Sequence, residues 1–322
     1  MGSNFIRHIL KKYPNYKVIN LDKLTYAGNP NNLRDIEGNS NYQFIKGDIV
    51  DERMVPKICR NNRIEAIINY AAETHVDRSI LNPDAFIKTD VLGTYNILKT
   101  VKELNIPKFI QISTDEVFGS INKGKFKENS PFKPNSPYSA SKASADLLCR
   151  SYVKTYGLPV IVTHSCNCYG PYQYPEKLFP LFITNLLENK KVPLYGNGQN
   201  IREWLFVLDH AWAVDFILHK GELGEIYNIG SGVEKKNLDI TKTILKELSA
   251  DNKMVEKVDD RLGHDLRYAV DWSKLKKLGW QPEYDFEEAV RETIRWYKKN
   301  DWWWQPLKSR EYLEYYKKQY GI

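Results

Sequence analysis

The chain has 322 residues, 42% of them hydrophobic, a length that can bury a large core and suits one α/β domain with a smaller appended lobe. Its formal charge of +7 and pI near 8.9 come from basic residues scattered among acidic ones with no dense tract, which argues against nucleic acid as a partner and suits a polyanionic small molecule. No apolar run approaches the ~20 residues that span a bilayer, so no membrane partner is expected.

The opening MGSNFIRHILKKYP carries charges and a helical period where a secretion signal has a plain apolar core, so a cytoplasmic location is expected. A myristoylation signal is rejected because position six is Ile rather than Ser or Thr. Cys59, Cys149, Cys166 and Cys168 are too few for a disulfide framework, and no His/Cys cluster follows to complete a metal site. They read as core thiols, with no metal expected.

In chain order, Ser3 to Tyr13 has the apolar spacing of an amphipathic helix stopped near Pro14. Tyr16 to Leu21 reads as a strand ending at Asp22, and Tyr42 to Ile45 as another leading to Gly47-Asp48-Ile49. Met54 to Arg63 reads as a helix, and Glu65 to Tyr70 as an apolar strand running into Ala71-Ala72-Glu73-Thr74. Pro83 to Asn105 is then one long helical stretch. Strands alternating with helices at this spacing predict βαβ units, hence a Rossmann-like, doubly wound parallel sheet.

The stretch Lys108 to Gly157 concentrates the chemistry. Phe109 to Ile112 is a short apolar run followed by Ser113-Thr114-Asp115-Glu116, a buried parallel strand delivering polar groups at its carboxyl end, where open α/β sheets bind ligands. Tyr138 and Lys142 stand four apart at the start of a long helical pattern, on one face. Taken singly, Tyr-x-x-x-Lys is a common chance pattern and Asp115-Glu116 a possible solvated pair. Together on one strand and the next helix, they predict a crevice holding two carboxyls, a phenol and an ammonium. Leu158 to Thr163 is a further strand leading to Asn167, after which segments rich in Tyr, Trp and Pro predict a second lobe.

A dinucleotide fold starts with strand, glycine turn and helix, followed ~20 positions on by an acid that holds the adenosine ribose. Asp22 stands where that acid belongs if Gly2 ends the turn. The first strand and earlier glycines are missing from the pattern, so an N-terminally truncated sheet is expected, with domains at 1–165 and 166–322 and some later segments returning to the first.

Over nearly its whole length the chain resembles the dTDP-glucose 4,6-dehydratase family of extended short-chain dehydrogenases. The resemblance rests on Ala71-Ala-Glu-Thr-His-Val-Asp-Arg-Ser79, Ser113-Thr-Asp-Glu-Val-Phe-Gly119, Tyr138-Ser-Ala-Ser-Lys142, Asn167-Cys-Tyr-Gly-Pro171, Arg202-Glu-Trp204 and Asp260-Arg-Leu-Gly-His-Asp265. Leu262 departs from the Pro that the family usually has there.

The resemblance implies a lyase that converts dTDP-glucose to dTDP-4-keto-6-deoxyglucose and water in deoxysugar biosynthesis, with tightly bound NAD. Tyr138 is implied as the base at the sugar 4-hydroxyl, helped by the Lys142 ammonium, with Thr114 on the same hydroxyl, Glu116 taking the C5 proton and Asp115 as the acid at C6. Asp22, Lys23, Thr25, Asp48, Ile49, Ala71, Ala72, Thr89 and Cys168 are implied beside Tyr138 and Lys142 as cofactor contacts. Asp48 is equally a turn residue, and Ala71-Ala72 close packing.

For the nucleotide-diphosphate sugar the implied set is Thr74, Thr114, Asn167, Lys177, Leu178, Arg202, Asn237, Arg261 and His264. Arg202 has the fork that suits phosphate oxygens. Trp302-Trp303-Trp304 reads as lobe packing, and the long helices resemble those that pair two subunits of a homodimer through a four-helix bundle. Three rival readings are a UDP-glucose 4,6-dehydratase, a 4-epimerase of the same fold, and a truncated, inactive NAD-binding protein.

Overall fold

Apolar residues spaced three and four apart make the first element a helix, α1 (Gly2–Lys12), which turns Phe5, Ile6, Ile9 and Leu10 inward. Lys11 and Lys12 occupy its last turn, where the helix dipole favours cations. The structure is a computed structural model and describes residues 1–320. After α1 come β1 (Val18–Asp22), β2 (Tyr42–Lys46), α2 (Met54–Asn62), β3 (Ala66–Asn69) and α3 (Val76–Leu81). A helical run then passes from α4 (Asp84–Phe86) through a π-helical turn at Ile87–Gly93 into α5 (Thr94–Leu104). β4 (Lys108–Thr114), α6 (Pro137–Tyr156) and β5 (Val160–Ser165) complete the first part.

The local chemistry of α6 fixes its limits. Ser136 and Ser139 form a capping box, Pro137 sits in the first turn, and Gly157 stops the helix with φ of 65°.

The second part holds β6 (Asn167–Tyr169), α7 (Leu178–Leu187), β7 (Val192–Tyr195), β8 (Ile201–Phe206), α8 (Val207–Lys220), β9 (Ile226–Ile229), β10 (Glu234–Lys236), α9 (Asn237–Glu247) and β11 (Val255–Val258). It ends with α10 (Ser273–Lys277), α11 (Phe286–Lys299), α12 (Asp301–Trp304) and α13 (Arg310–Tyr320).

The main sheet runs β3-β4-β5-β9, all parallel, with β4 central and its residues Phe109 to Thr114 wholly buried. One apolar cluster covers it on the α1 and α8 side and another on the α2, α5 and α6 side, the doubly wound arrangement. β1 and β2 form a separate parallel ribbon, and β1 shares no ladder with β3. The lobe around β10-β8-β6 and β11-β7 has its own aromatic core, including Tyr169, Phe179, Trp204, Phe286, Trp303 and Trp304.

The expected elements are present with ends shifted by one or two residues. Three features differ. The 83–105 stretch is not one regular helix but contains the π turn; α3 and the 3-10 turn at Pro30–Ile36 were not anticipated; and Trp302 lies 44% exposed while its two neighbours pack the lobe. Short turns of this kind carry too few residues for a periodic signal.

Asp215 of α8 joins α1 to the rest. Its side chain is fully buried and accepts from His8 and Lys12, each at 2.7 Å, and from the Tyr13 hydroxyl at 2.9 Å. Burial alone raises this carboxyl, but the bonds from His8, Lys12 and Tyr13 outweigh it and carry the value down to about 2. A carboxylate depressed from 3.8 to about 2 stabilises the fold above the unfolded value and loses that contribution as pH falls through its folded value. The expected size is on the order of 2 kcal/mol. Asp215→Asn should therefore lower the urea midpoint at pH 7, with the gap from wild type closing between about pH 4 and pH 2; an equal gap at both ends would refute the linkage.

Candidate active site

β1, β3 and β4 end at one cavity of ≈ 1470 Å³, bounded also by the first residues of α1 and the loop that follows β6. β4 presents Thr114, and the chain turns at once into a 3-10 segment, Asp115–Phe118, capped by the Thr114 hydroxyl through the Glu116 N–H at 3.3 Å. That turn points two successive carboxyls into the space that faces Tyr138 and Lys142 on the first turns of α6. Thr114, Asp115, Glu116, Tyr138 and Lys142 all line the cavity, so the sequence motif is also a spatial cluster.

The two carboxyls sit in different surroundings. Asp115 is 1% exposed, its Oδ2 has no hydrogen-bond partner among the described residues, and burial followed by the Glu116 and Glu203 charges pushes it well above the usual carboxylate range. Glu116 is half-buried and is also raised by burial, though less, because Arg261, Arg202 and Lys177 each oppose the shift. Adjacent acids whose environments push their proton affinities apart divide into acid and base.

Tyr138 is 9% exposed, and burial, then the charges of Glu116 and Asp90, raise its phenol well above its ordinary value. The expected help from Lys142 takes another form. Its ammonium, 4% exposed, donates to the Ile112 carbonyl at 2.8 Å and so fastens α6 to β4, while the group that hydrogen-bonds the phenol and lowers it is Thr114.

Three cations gather on the far side of Glu116. Arg202 is 5% exposed, donates to the carbonyls of Ile201 and Asp265 at 2.8 and 2.9 Å, and stacks 4.3 Å from the Tyr268 ring centre. Lys177 donates to the Thr74 carbonyl at 2.7 Å, and Arg261 lies 3.7 Å from Asp77. Arg202, satisfied largely by neutral carbonyls, keeps its charge available to an anion, and the buried Nε of Arg261 has no partner among the described residues. Asn237, at the start of α9, and Asn167 each hold a buried carbonyl oxygen without a partner among the described residues. His264 bonds Asp260 at 2.5 Å and is lowered by burial to about 4, which leaves it neutral and suits binding better than base chemistry. Leu178 packs into the lobe core at the start of α7, and Leu262 is 79% exposed.

Of the expected cofactor contacts, Asp22, Ile49, Ala71, Ala72 and Cys168 line the cavity, as do Thr74, Asn167 and Lys177 from the substrate set. Lys23, Thr25, Asp48 and Thr89 do not. Lys23 is paired with Asp48 at 2.6 Å, and Asp48 also accepts the Val50 N–H at 3.0 Å, the turn role that its position after Gly47 allowed. A dinucleotide fits what remains. The cavity is large and elongated from β1 to α6, Asp22 closes β1 with an exposed carboxylate, and α1 starts at the cavity wall without a side-chain cap, leaving its positive end for a phosphate.

Sequence reading missed a second buried cluster at the same wall. Glu176, 4% exposed, accepts from the Tyr26 hydroxyl and from Arg78, both at 2.8 Å, and the Arg78 guanidinium lies between the rings of Tyr26 and Tyr315 at 3.6 and 4.3 Å. Arg78 was visible inside the quoted His-Val-Asp-Arg segment, whereas no local signal marks Glu176 or Tyr315.

The sequence profile of the GDP-mannose 4,6-dehydratase family matches residues 1–293. The low-salt glycan biosynthesis protein Agl12 of Haloferax volcanii is 46% identical over 301 residues, covering 94% of this chain and 96% of that protein. A dTDP-glucose 4,6-dehydratase of Streptomyces niveus is 46% identical over 314 residues, 96% of this chain and 93% of that one. Among solved structures, the dTDP-glucose 4,6-dehydratase DesIV of Streptomyces venezuelae, with NAD bound, superposes with a TM-score of 0.93 at 46% identity over 95% of this chain and 96% of its own.

The environment of Asp115 gives a direct expectation. At pH 7 the infrared difference between the chain and its Asp115→Asn variant should contain the carbonyl stretch of a protonated carboxyl, and a carboxylate band in its place would overturn the assignment.

Proposed function

The chain belongs to the dTDP-glucose 4,6-dehydratases, within the GDP-mannose 4,6-dehydratase family, and from that membership we propose how its residues convert dTDP-glucose to dTDP-4-keto-6-deoxyglucose and water. The observation that carries the reading is the pair Asp115 and Glu116, one buried and uncompensated, the other facing three cations.

Residues 1–165 bind mainly the cofactor and 166–322 mainly the sugar nucleotide. Asp22 holds the adenosine ribose, the start of α1 the pyrophosphate, Ala71 and Ala72 the wall beside it, and Lys142 the nicotinamide ribose. When bound, NAD+ supplies a positively charged ring and a hydride acceptor that takes hydrogen from C4 and returns it to C6, so the net redox change is zero. Arg202, Arg261 and Lys177 hold the substrate diphosphate.

Tyr138 takes the proton of the C4 hydroxyl, with Thr114 bonded to the same oxygen. A ketone at C4 acidifies the C5 hydrogen, because the carbanion left behind is delocalised onto the carbonyl. Glu116, whose raised proton affinity suits a base and whose cationic neighbours favour the anion, removes that proton and later gives it back to C5. Asp115, kept protonated by burial, donates to the C6 hydroxyl as it leaves, and the elements of one water depart. A 4-epimerase needs no acid for water loss, so the Asp115-Glu116 pair weighs against that reading.

A homodimer accords with this assignment. Ile87, Leu92 and Tyr95 on the helical run before β4, and Leu147 and Tyr156 on α6, are large apolar residues 40–54% exposed, on the two helices that a four-helix bundle would pair. The four cysteines are unpaired, as suits the reducing cytoplasm. Among the described residues no helix is long and apolar enough to cross a membrane.

With NAD+ and dTDP-glucose the chain should give a product lighter by one water in mass spectrometry; unchanged substrate mass would refute the dehydratase reading. Asp115→Asn and Glu116→Gln should still form the reduced nicotinamide absorbance but eliminate water about 10²–10⁴-fold more slowly. Normal turnover by either variant would show that the carboxyls are misassigned. In light scattering the chain should have twice its 37.6 kDa mass, and Leu92→Glu with Leu147→Glu should halve it; a monomeric wild type would reject the dimer.

A further inference from the structure

Asp90 sits in the middle of the π-helical turn Ile87–Gly93, and it is absent from the reaction scheme above. It is 1% exposed, a burial that a carboxylate tolerates only when its oxygens are bonded and its charge is met. The first condition holds. Oδ1 accepts the backbone N–H of Glu73 at 3.1 Å, in the loop that carries Ala71, Ala72 and Thr74 along the cavity wall. Oδ2 accepts the Ser141 hydroxyl at 2.6 Å, one residue before Lys142. One side chain thus ties the loop leaving β3 to the helix that bears Tyr138 and Lys142. A single π turn is a recurrent device at functional sites, where it changes the facing of a helix without breaking it.

We propose that Asp90 is a positioning residue of the dehydratase reaction, fixing the β3 loop against α6 and setting a buried carboxyl beside the Tyr138 and Lys142 pair. The proposal rests on the roles given to those two residues above. Burial raises the Asp90 carboxyl above the usual carboxylate range, against the pull of Lys142, Ser141 and the Glu73 N–H. Where it is ionised, it opposes a second anion at Tyr138.

The groups that face it are Tyr138, Lys142 and Asp146 from α6 and the Glu73 carboxyl from the loop. Tyr138 in turn faces Glu116 and Asp115 at the end of β4. Burial raises Asp90 and Lys142 lowers it, while Asp90 stands among the charges that raise both Tyr138 and Glu73. Tyr138 therefore gives up its proton against burial, the Glu116 charge and then that of Asp90, and an ionised Asp90 moves the pH at which C4 oxidation begins upward.

Asp90→Asn tests charge apart from structure. The amide oxygen can still accept from Glu73 and the amide nitrogen can donate to Ser141, whose hydroxyl also reaches the Tyr138 carbonyl at 2.8 Å. The chain, with NAD+ added, is labelled at the tyrosine ring carbon that bears oxygen, and the Tyr138 resonance is identified by its loss in Tyr138→Phe. In Asp90→Asn that resonance should titrate lower by about one pH unit, and the acid limb of the single-turnover rate of nicotinamide reduction should move by the same amount in the same direction. Asp90→Ala, which loses both bonds, should in addition slow this step at every pH by at least about tenfold.

An unmoved or higher titration in Asp90→Asn would overturn the proposal, as would a rate that falls without any change in its pH limb. Failure of the reading beneath it looks different: wild type would then form no reduced nicotinamide with dTDP-glucose, whatever the titration shows.

Discussion

Removal of water from the carboxyl end of β4 governs this molecule. The strand is buried from Phe109 to Thr114, and it releases its chain into a one-turn segment that leaves Asp115 dry with an unbonded oxygen. A carboxyl in that place keeps its proton because the anion would lose its hydration with nothing to replace it. Everything else at the cavity is arranged around this asymmetry. Glu116, one residue on, is raised less because two arginines and a lysine converge on it and offset part of its burial. The division of labour between neighbouring acids is thus an effect of packing between lobes, not of residue type.

The other half of the machinery is rigid for a related reason. α6 is locked at its start by a capping box and at its stop by a left-handed glycine, and Lys142 spends a hydrogen bond on the backbone of β4. A helix held at both ends and again in its second turn presents Tyr138 with little freedom, which is the geometric requirement for proton transfer at a defined atom. The buried Asp90 continues that tie to the loop leaving β3, so strand ends, helix and loop form one connected wall.

Much of this was legible in the residues. Alternating apolar runs gave the strands of the main sheet, and Thr114-Asp115-Glu116 with Tyr138 and Lys142 gave the reacting cluster, because strand-end position and helical spacing are local properties. What stayed hidden depends on distance in space. Glu176, Tyr26 and Tyr315 meet around Arg78 from segments up to 289 positions apart in sequence (315 − 26), and no window along the chain can see that. The π turn was unreadable for another reason: it spans only Ile87–Gly93, too short a stretch for its shift in helical facing to stand out from the apolar spacing on either side. Lys23 and Asp48, carried over by position, pair with each other at 2.6 Å beside the cavity, a contact that spacing along the chain does not reveal.

The β1–β2 ribbon has a thermodynamic character of its own. A two-stranded pair is marginal in water and draws its persistence from what packs on it, here α1 and the Asp215 cluster that anchors that helix to α8. Because β1 makes no ladder with β3, its persistence rests on side-chain packing and not on hydrogen bonds to the central sheet. Asp22 ends β1. A nucleotide held at Asp22 would stabilise the closed ribbon by mass action, so ligand concentration would set local order at this end of the molecule.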